Sequence, residues 1–224
     1  MNREWSELNK TMQLQLKKKD SFDNGIATLL LLRSKLMEQI FSFYKELTAE
    51  DFYAVLFKNA NGYHSKTIAY SLWHIFRIED IVINTLIADR EQIFFEQGYQ
   101  KRIGSPIITT GNEITSEQIT EFSESLDIDE LYSYISDVDK ATTGIVKSLS
   151  FEDMKTRVSD ERKKSLLSFD VVSADEKAFW LIDYWCSKDI RGLIQMPLSR
   201  HWIMHIEACL RIREKIITLK NKKL

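Results

Sequence analysis

The sequence predicts a soluble, all-helical fold. Of the 224 residues, 44% are apolar and 29% are charged, and there are only 2 prolines and 7 glycines. This composition is typical of a helix-rich globular protein, because proline and glycine interrupt helices. Apolar residues also recur at intervals of three and four along most of the chain, which is the period of an amphipathic helix. At this length we expect a single domain spanning residues 1–224.

The first predicted helix is peripheral and falls within residues 1–19. Its apolar residues are Trp5, Leu8, Met12 and Leu16, followed by the charged sequence KKKD. A first long helix is expected from about Ser21 to Leu47. Its apolar stripe has the spacing of a helix that packs in a bundle and consists of Leu29, Leu32, Leu36, Ile40, Phe43 and Leu47.

A second long helix is predicted from about Ser65 to Arg90, after a loop that contains NANGYHS. On a helical wheel His74 points inward, whereas the polar residues Arg77, Glu79, Asp80 and Asn84 fall toward the flanks or the back. Residues 97–120 are rich in glycine, serine and threonine, so we expect a loop followed by a short helix.

A third long helix is predicted from Asp127 to about Ser150. Asp127 followed by Glu130 resembles a capping box, which marks a helix start. The inward residues of this helix are Leu131, Ile135, Val138, Thr142, Ile145 and Leu149.

Residues 151–195 form an extra helical segment before the last helix. Residues 151–172 are charged and weakly periodic, whereas Ser173 followed by Glu176 repeats the capping pattern. The predicted buried stripe of the next helix is Phe179, Ile182, Cys186 and Ile190.

The last helix is expected from about Pro197 to Lys220, since proline suits a first helical turn. Its predicted inward face is Leu198, His201, Trp202, Ala208, Cys209, Ile212, Ile216 and Leu219. A second apolar stripe consists of Ile203, Ile206, Leu210 and Ile217. Two apolar faces require cover on two sides, which residues 151–195 or a second subunit would supply.

Charge and targeting signals exclude several classes of partner. The formal net charge is -2 with acids and bases interspersed, so no basic surface favours nucleic acid or an anionic membrane. The C-terminal KNKKL is typical of a solvated helix end. The N-terminus lacks the apolar core of a signal peptide, and the longest apolar run, IATLLLL, is far shorter than a membrane span. We therefore expect a cytoplasmic protein in which Cys186 and Cys209 are reduced thiols.

The histidines are the strongest chemical signal. His201 and His205 are spaced by four, which places two imidazoles side by side on one helix and lets them converge on a metal ion. His74 points inward from another long helix, and helical bundles build metal sites from facing helices. His64 falls on another helical face near a loop and is left out. The alternative is that these histidines are core residues, hydrogen-bonded to backbone or hydroxyl groups.

Three imidazoles suit a borderline divalent ion. Zn or Ni fits best, Fe, Mn and Cu also accept imidazole, and Ca or Mg would prefer oxygen ligands. Such a site leaves a coordination position open for chemistry. No HExxH, P-loop, GxGxxG or GxSxG motif is present, so no general base is identified. Asp183 could orient an imidazole, but a surface ion pair is the better interpretation; Tyr70 and Tyr184 could line a pocket or belong to the core.

The sequence resembles the DinB/YfiT-like superfamily of metalloenzymes. The resemblance rests on SLWHIFRIED (71–80) and MPLSRHWIMHIEA (196–208), and on the order and length of the helices. It implies a four-helix bundle with an up-down-down-up arrangement, often dimeric, with additional short helices here. It also implies a divalent metal held by His74, His201 and His205. Members of this family include thiol-dependent S-transferases, a maleylpyruvate isomerase that uses a low-molecular-weight thiol, and proteins classed only as metal-dependent hydrolases. The N-terminal helix and residues 151–195 depart from a minimal member, so no particular substrate carries over.

Three functional hypotheses follow. The first is a metal-dependent transferase or hydrolase that acts on a small electrophilic molecule, with a low-molecular-weight thiol as cofactor in the transferase case. The second is a metal-binding stress-response protein without turnover. The third is a structural helical bundle without metal.

Overall fold

The computed structural model describes residues 2–58 and 66–222, and helices joined by loops make up these ranges. No β-strand occurs in them; the only β-type pairing is an isolated antiparallel bridge between Arg157 and Asp189. The all-helical prediction is therefore confirmed. The predicted loop at NANGYHS, His64 and the last two residues of KNKKL lie outside the described residues.

Helices of very different length make up the described chain. The first part of the chain forms α1 (Arg3–Gln15), α2 (Phe22–Glu46), α3 (Ala49–Tyr53), α4 (Ile68–Asp80), α5 (Ile93–Glu96) and α6 (Tyr99–Ile103). The second part forms α7 (Ser116–Glu124), α8 (Ile128–Ser148), α9 (Asp160–Ser168), α10 (Glu176–Cys186), α11 (Ile190–Gln195) and α12 (His201–Asn221). Ile81–Ile87 continues α4 in π-helical form, and Met196–Arg200 leads into α12 in the same form. Short 3-10 turns lie at Lys19–Ser21 and Glu152–Lys155.

The start of α8 follows the predicted capping signal. The Asp127 side chain accepts a hydrogen bond from the Glu130 backbone N–H at 3.0 Å, which satisfies one of the free donors of the first turn. The helix ends at Ser148, after which Leu149 is extended. Its buried face includes all but the last of the predicted inward residues.

Helix α4 is the most deeply buried element of the described chain. Every residue from Ile68 to Ile87 is buried, including Arg77, Glu79, Asp80 and Asn84. These four residues were predicted on the flanks or the back of the helix, and the structure buries those sides as well. Other helices and the segment after α6 cover α4 on all sides, and each of these side chains finds a polar partner inside the protein.

Four long helices, counting α4 with its π-helical continuation, contact one another in a ring. Helix α2 packs against α8, α8 against α4, α4 against α12, and α12 against α2. One apolar cluster contains the first half of α4 together with Trp202 and Ile206 of α12. A second cluster contains the π-helical continuation of α4 and the buried side chains of α9, α10 and α11.

Helix α12 is covered on two sides over its first half only. Ile203 and Ile206 of the second stripe are buried in the same cluster as Trp5 and Leu36, so the cover comes from the N-terminal helices and not from residues 151–195. Leu219, predicted to point inward, is 43% exposed. The apolar contacts of this helix end at Ile216, and its last turn carries lysines in solvent.

The buried face of α10 differs from the predicted stripe. Phe179 is 48% exposed and Cys186 is half-buried, whereas Ala178, Leu181, Ile182 and Trp185 form the buried face. The helix ends at Cys186, so Ile190 belongs to α11 and not to the same stripe. Large apolar side chains around Trp180 occur on several faces of the helix. Periodicity alone therefore does not determine which face is buried.

A buried ion pair joins α2 to α4. Both amino groups of Arg33 donate to the Glu79 carboxylate, at 2.8 and 2.7 Å, in a bidentate pair. Arg33 also donates to Asp139 at 2.6 Å and to the Leu198 carbonyl at 3.3 Å, and Thr142 donates to Glu79 at 2.6 Å. We refer to these side chains as the Arg33 network. It fixes the π-helical turn that precedes His201.

None of the described helices combines the length and the apolar character that a membrane span requires.

Candidate metal centre

The three histidines predicted as metal ligands lie together in the structure. His74 is on α4, and His201 and His205 are on the first two turns of α12. The Nε2 atoms of His74 and His201 are 3.2 Å apart, and one ring nitrogen from each of the three lies within 4.8 Å of the others. All three side chains are buried. Among the described residues, this is the group of histidine, cysteine or acidic side chains that can hold a metal ion.

The orientation of His74 is set by a backbone carbonyl. Its Nδ1 lies 2.7 Å from the Thr110 carbonyl oxygen, which can only accept a hydrogen bond. Nδ1 therefore carries the proton, and Nε2 presents its lone pair toward His201. Metal-binding histidines usually have a partner of this kind, which fixes both tautomer and ring orientation.

The other two imidazoles have unused ring nitrogens. The Nδ1 atoms of His201 and His205 are buried and have no hydrogen-bond partner within the described part of the chain. Histidines that serve only as core residues are normally hydrogen-bonded, because an unsatisfied buried polar atom is costly. The two unpartnered Nδ1 atoms favour a metal site over fully hydrogen-bonded core histidines. Without a metal, the Nε2 atoms of His74 and His201 lie within hydrogen-bond distance of each other.

The segment that supplies the Thr110 carbonyl is held against α4 by the polar residues of that helix. Arg77 Nε donates to the Ile108 carbonyl at 2.9 Å. The Asp80 carboxylate accepts from the backbone N–H groups of Ile93 and Phe94, at 3.0 and 2.9 Å. Arg77 thus holds the segment that orients His74 against α4, and Asp80 holds the start of α5.

Gly111 allows this segment to approach the helix closely. Its φ of 76° lies in the left-handed region, and a Cβ atom there would lie only 2.8 Å from the Trp73 ring. The Gly111 carbonyl accepts a hydrogen bond from Tyr70 at 3.0 Å, and the Tyr70 ring stacks on His74 with a centroid distance of 5.4 Å. Sequence reasoning missed Thr110 and Gly111; the only signal was the TTGN sequence inside the predicted loop.

The three imidazoles are neutral at pH 7. Burial, which the nearby Lys66 ammonium reinforces, lowers the pKa of His74 from 6.5 to about 4. Burial also holds the pKa values of His201 and His205 well below 6.5, and neighbouring imidazoles and Lys66 add to this effect. Neutral imidazole is the form that binds metal ions.

A cavity of about 490 Å³ opens onto the histidines. Its walls come from α4, the start of α7, α10 and the turn before α12. The residues around the three histidines are Lys66, Tyr70, Ile78, Asn112, Ile114, Thr115, Ser116, Ile119, Lys177, Trp180, Leu181, Tyr184, Trp185, Met196 and Pro197. A cavity of this size that combines apolar walls with polar groups is typical of a small-molecule site.

The remaining candidate residues are distributed between the cavity, the core and the surface. Tyr70 and Tyr184 line the cavity. The Asp183 side chain is 82% exposed and pairs with Lys163 at 3.1 Å, so it does not orient a histidine. Cys209 is fully buried outside the histidine group, and burial raises the pKa of its thiol to about 12. Burial also raises the pKa of Cys186. Neither thiol is an activated nucleophile.

The residues present fit a divalent metal ion. Three buried neutral imidazoles, one of them fixed by a backbone carbonyl, are the donor set of open sites for borderline metals. Three protein ligands leave a position for a further ligand from the cavity.

No family model, no curated protein and no solved structure matches the chain.

Proposed function

We propose that the protein is a divalent-metal-dependent enzyme that acts on a small electrophilic substrate. His74, His201 and His205 hold one ion, with Zn or Ni as the best fit to imidazole ligands. The observation that carries this proposal is the convergence of three buried, neutral imidazoles on an open cavity of about 490 Å³. A metal that serves only to stabilise the fold would not need a cavity beside it.

We also propose that the fold is a DinB/YfiT-like four-helix bundle with an up-down-down-up arrangement. The ring of contacts among α2, α8, α4 and α12 supports this assignment. So does the placement of the SLWHIFRIED and MPLSRHWIMHIEA sequences on two helices that pack together. A homodimer is part of the same proposal.

Of the two reaction types, thiol transfer agrees better with the residues of the cavity. A bound divalent ion supplies Lewis acidity, which activates a thiol or a water molecule. Among the described residues that line the cavity, none is Asp or Glu, so no carboxylate is placed to act as a general base for hydrolysis. A low-molecular-weight thiol needs no carboxylate base once nearby positive charge lowers its pKa. Lys66 and Lys177 supply such charge at the cavity wall.

Metal analysis of tag-free protein tests the metal site. We expect one equivalent of divalent metal in the wild type and in His64→Ala, which serves as the matched control. We expect less than a tenth of an equivalent in His74→Ala and in His205→Ala, because two imidazoles bind the ion far more weakly than three. Metal-free wild-type protein, or full metal content in both site variants, contradicts the proposal.

Turnover by the metal-loaded protein tests whether the ion is catalytic. We expect thiol conjugation to electrophilic substrates that is abolished by chelation and restored by Zn or Ni. If conjugation and hydrolysis panels show no turnover, and chelation only lowers the melting temperature, the metal-binding stress-response protein without turnover is the correct function.

A further inference from the structure

Lys66 is the feature of the cavity that the proposed metal chemistry leaves unexplained. It lies just before α4, is half-buried and lines the cavity. Its ammonium is close enough to all three histidines to oppose their protonation. A lysine at this position repels any metal ion that the histidines hold.

No acidic group within the described residues pairs with this charge. Lys66 has no ion pair or hydrogen bond within residues 2–58 and 66–222, and burial lowers its pKa. The preceding residues 59–65 contain no Asp or Glu. The described lining of the cavity has no carboxylate, but it includes a second, exposed lysine, Lys177, at the start of α10. Buried positive charge without a partner is costly unless a ligand supplies the counter-charge.

The part of the cavity lining that α10 supplies is largely aromatic. Trp180, Tyr184 and Trp185 of α10 line it, and Trp180 is 51% exposed. The indole N–H of Trp180 donates to the Lys177 carbonyl at 2.8 Å, so the ring has no free polar atom to offer to solvent. A large exposed aromatic side chain at a cavity mouth favours contact with an apolar ligand surface.

We propose that the cavity binds a small organic carboxylate. Its anionic group pairs with Lys66, and its apolar body packs on Trp180 and Tyr184. This inference rests on the proposed function, because a metal ion at the histidines adds to the positive charge that the carboxylate compensates. Lys177, at the exposed side, attracts the anion during entry.

Calorimetric titration of zinc-loaded protein tests the recognition of charge, with phenylacetate as probe and phenylacetamide as its neutral analogue. We expect the wild type to bind phenylacetate at least about tenfold more tightly than the amide. Lys66→Met should reduce this preference to less than about twofold, whereas Lys66→Arg should keep most of it. Lys101→Met, which removes an exposed lysine that does not line the cavity, should behave as the wild type.

Zinc affinity provides a second test. If Lys66 had only a structural role, its replacement would not increase the affinity for zinc. Because the ammonium repels the ion, Lys66→Met should bind zinc several-fold more tightly than the wild type in buffer without carboxylates. Zinc and phenylacetate should also increase each other's affinity for the wild type by the same factor. Competition with a chromophoric chelator measures both effects.

The outcomes separate this inference from the proposed function. A wild type that binds no stoichiometric zinc overturns the proposed function, and this inference with it. Stoichiometric zinc with equal affinity for phenylacetate and phenylacetamide overturns this inference alone. An unchanged preference in Lys66→Met also overturns it.

Discussion

Two buried polar clusters both include residues of helix α4. They differ in how many of their polar atoms have a hydrogen-bond partner within the protein. In the Arg33 network, both amino groups of the guanidinium and both oxygens of Glu79 have partners inside the protein, and only Arg33 Nε lacks one among the described residues. In the histidine cluster, the Nδ1 atoms of His201 and His205 have no partner among the described residues, and the Nδ1 of His74 is bonded to the Thr110 carbonyl. One nitrogen from each ring lies within 4.8 Å of the others.

This comparison distinguishes buried charges that stabilise the fold from buried groups that remain available to a ligand. Charges that are paired within the chain stabilise one arrangement of helices and have no capacity left for a ligand. Imidazoles that are buried, neutral and unsatisfied are held in a costly arrangement that only an added partner relieves. Each of the following predictions is directed at one of the two clusters.

Removing the acid of the Arg33 network should have the largest effect on stability. Glu79→Ala leaves the Arg33 guanidinium buried without its main partner, so we expect a loss of about 3–5 kcal/mol in the free energy of unfolding. Urea titration measures it. Asp183→Ala, which breaks the exposed pair with Lys163, should leave the urea midpoint unchanged. The double variant Arg33→Met/Glu79→Leu should recover most of the loss, and a midpoint as low as that of Glu79→Ala would contradict this explanation.

Acidification should destabilise the histidine cluster. His74 binds its proton at about pH 4 in the folded protein, against 6.5 as the ordinary value in an unfolded chain. Between these values the unfolded state binds more protons, so stability falls as the pH falls, by about 3 kcal/mol for His74 alone. Urea midpoints of metal-free protein from pH 8 to pH 4 measure this loss. His74→Gln should show a shallower dependence, and parallel profiles for the two proteins would argue against it.

Zinc should stabilise the histidine cluster and leave the Arg33 network unaffected. At a free concentration of a hundred times its Kd, an ion that binds only the folded state adds about 2.7 kcal/mol. Urea titrations of wild-type protein with and without zinc should show this increase, and His64→Ala should show the same. His205→Ala should show none; stabilisation of equal size in that variant would place the zinc elsewhere.

Substituting either of two glycines in the left-handed region should have the smallest effect on stability, and only one of the two substitutions should affect the metal site. Gly98 has a φ of 66°, and a Cβ atom added there would meet no atom within 4 Å, so Gly98→Ala should cost only the backbone strain, about 1–2 kcal/mol. Gly111→Ala adds a contact with Trp73 and displaces the segment that orients His74. We therefore expect zinc affinity to fall about tenfold or more in Gly111→Ala and to stay unchanged in Gly98→Ala. Chelator competition measures both, and equal affinities would show that the Thr110 carbonyl does not position His74.

The long helices and the histidine cluster could be predicted because their signals are local. The spacing of His201 and His205 places both on one face of one helix, and the apolar stripes locate α2, α4, α8 and α12. The bundle topology, the metal and the reaction stay predictions.

The burial of the polar residues of α4 and the roles of Thr110 and Lys66 could not be predicted, because they depend on tertiary contacts that a helical wheel does not represent. A wheel assumes one covered face, so it placed Arg77 and Asp80 on the flanks or the back of α4. In the structure the chain after α6 covers Arg77, and α5 covers Asp80. Thr110 and Lys66 reach the site from outside the regular helices. Their role depends on chain path, and no periodic pattern encodes it.

The position of Trp180 gives the protein an intrinsic optical reporter. All five tryptophans are among the described residues, and four of them are at most 4% exposed, whereas Trp180 is 51% exposed at the cavity wall. Indole emission shifts to longer wavelength in water, so the red edge of the fluorescence spectrum of the unmodified chain comes from Trp180. Quenching or a blue shift confined to that edge would therefore report ligand entry without a label.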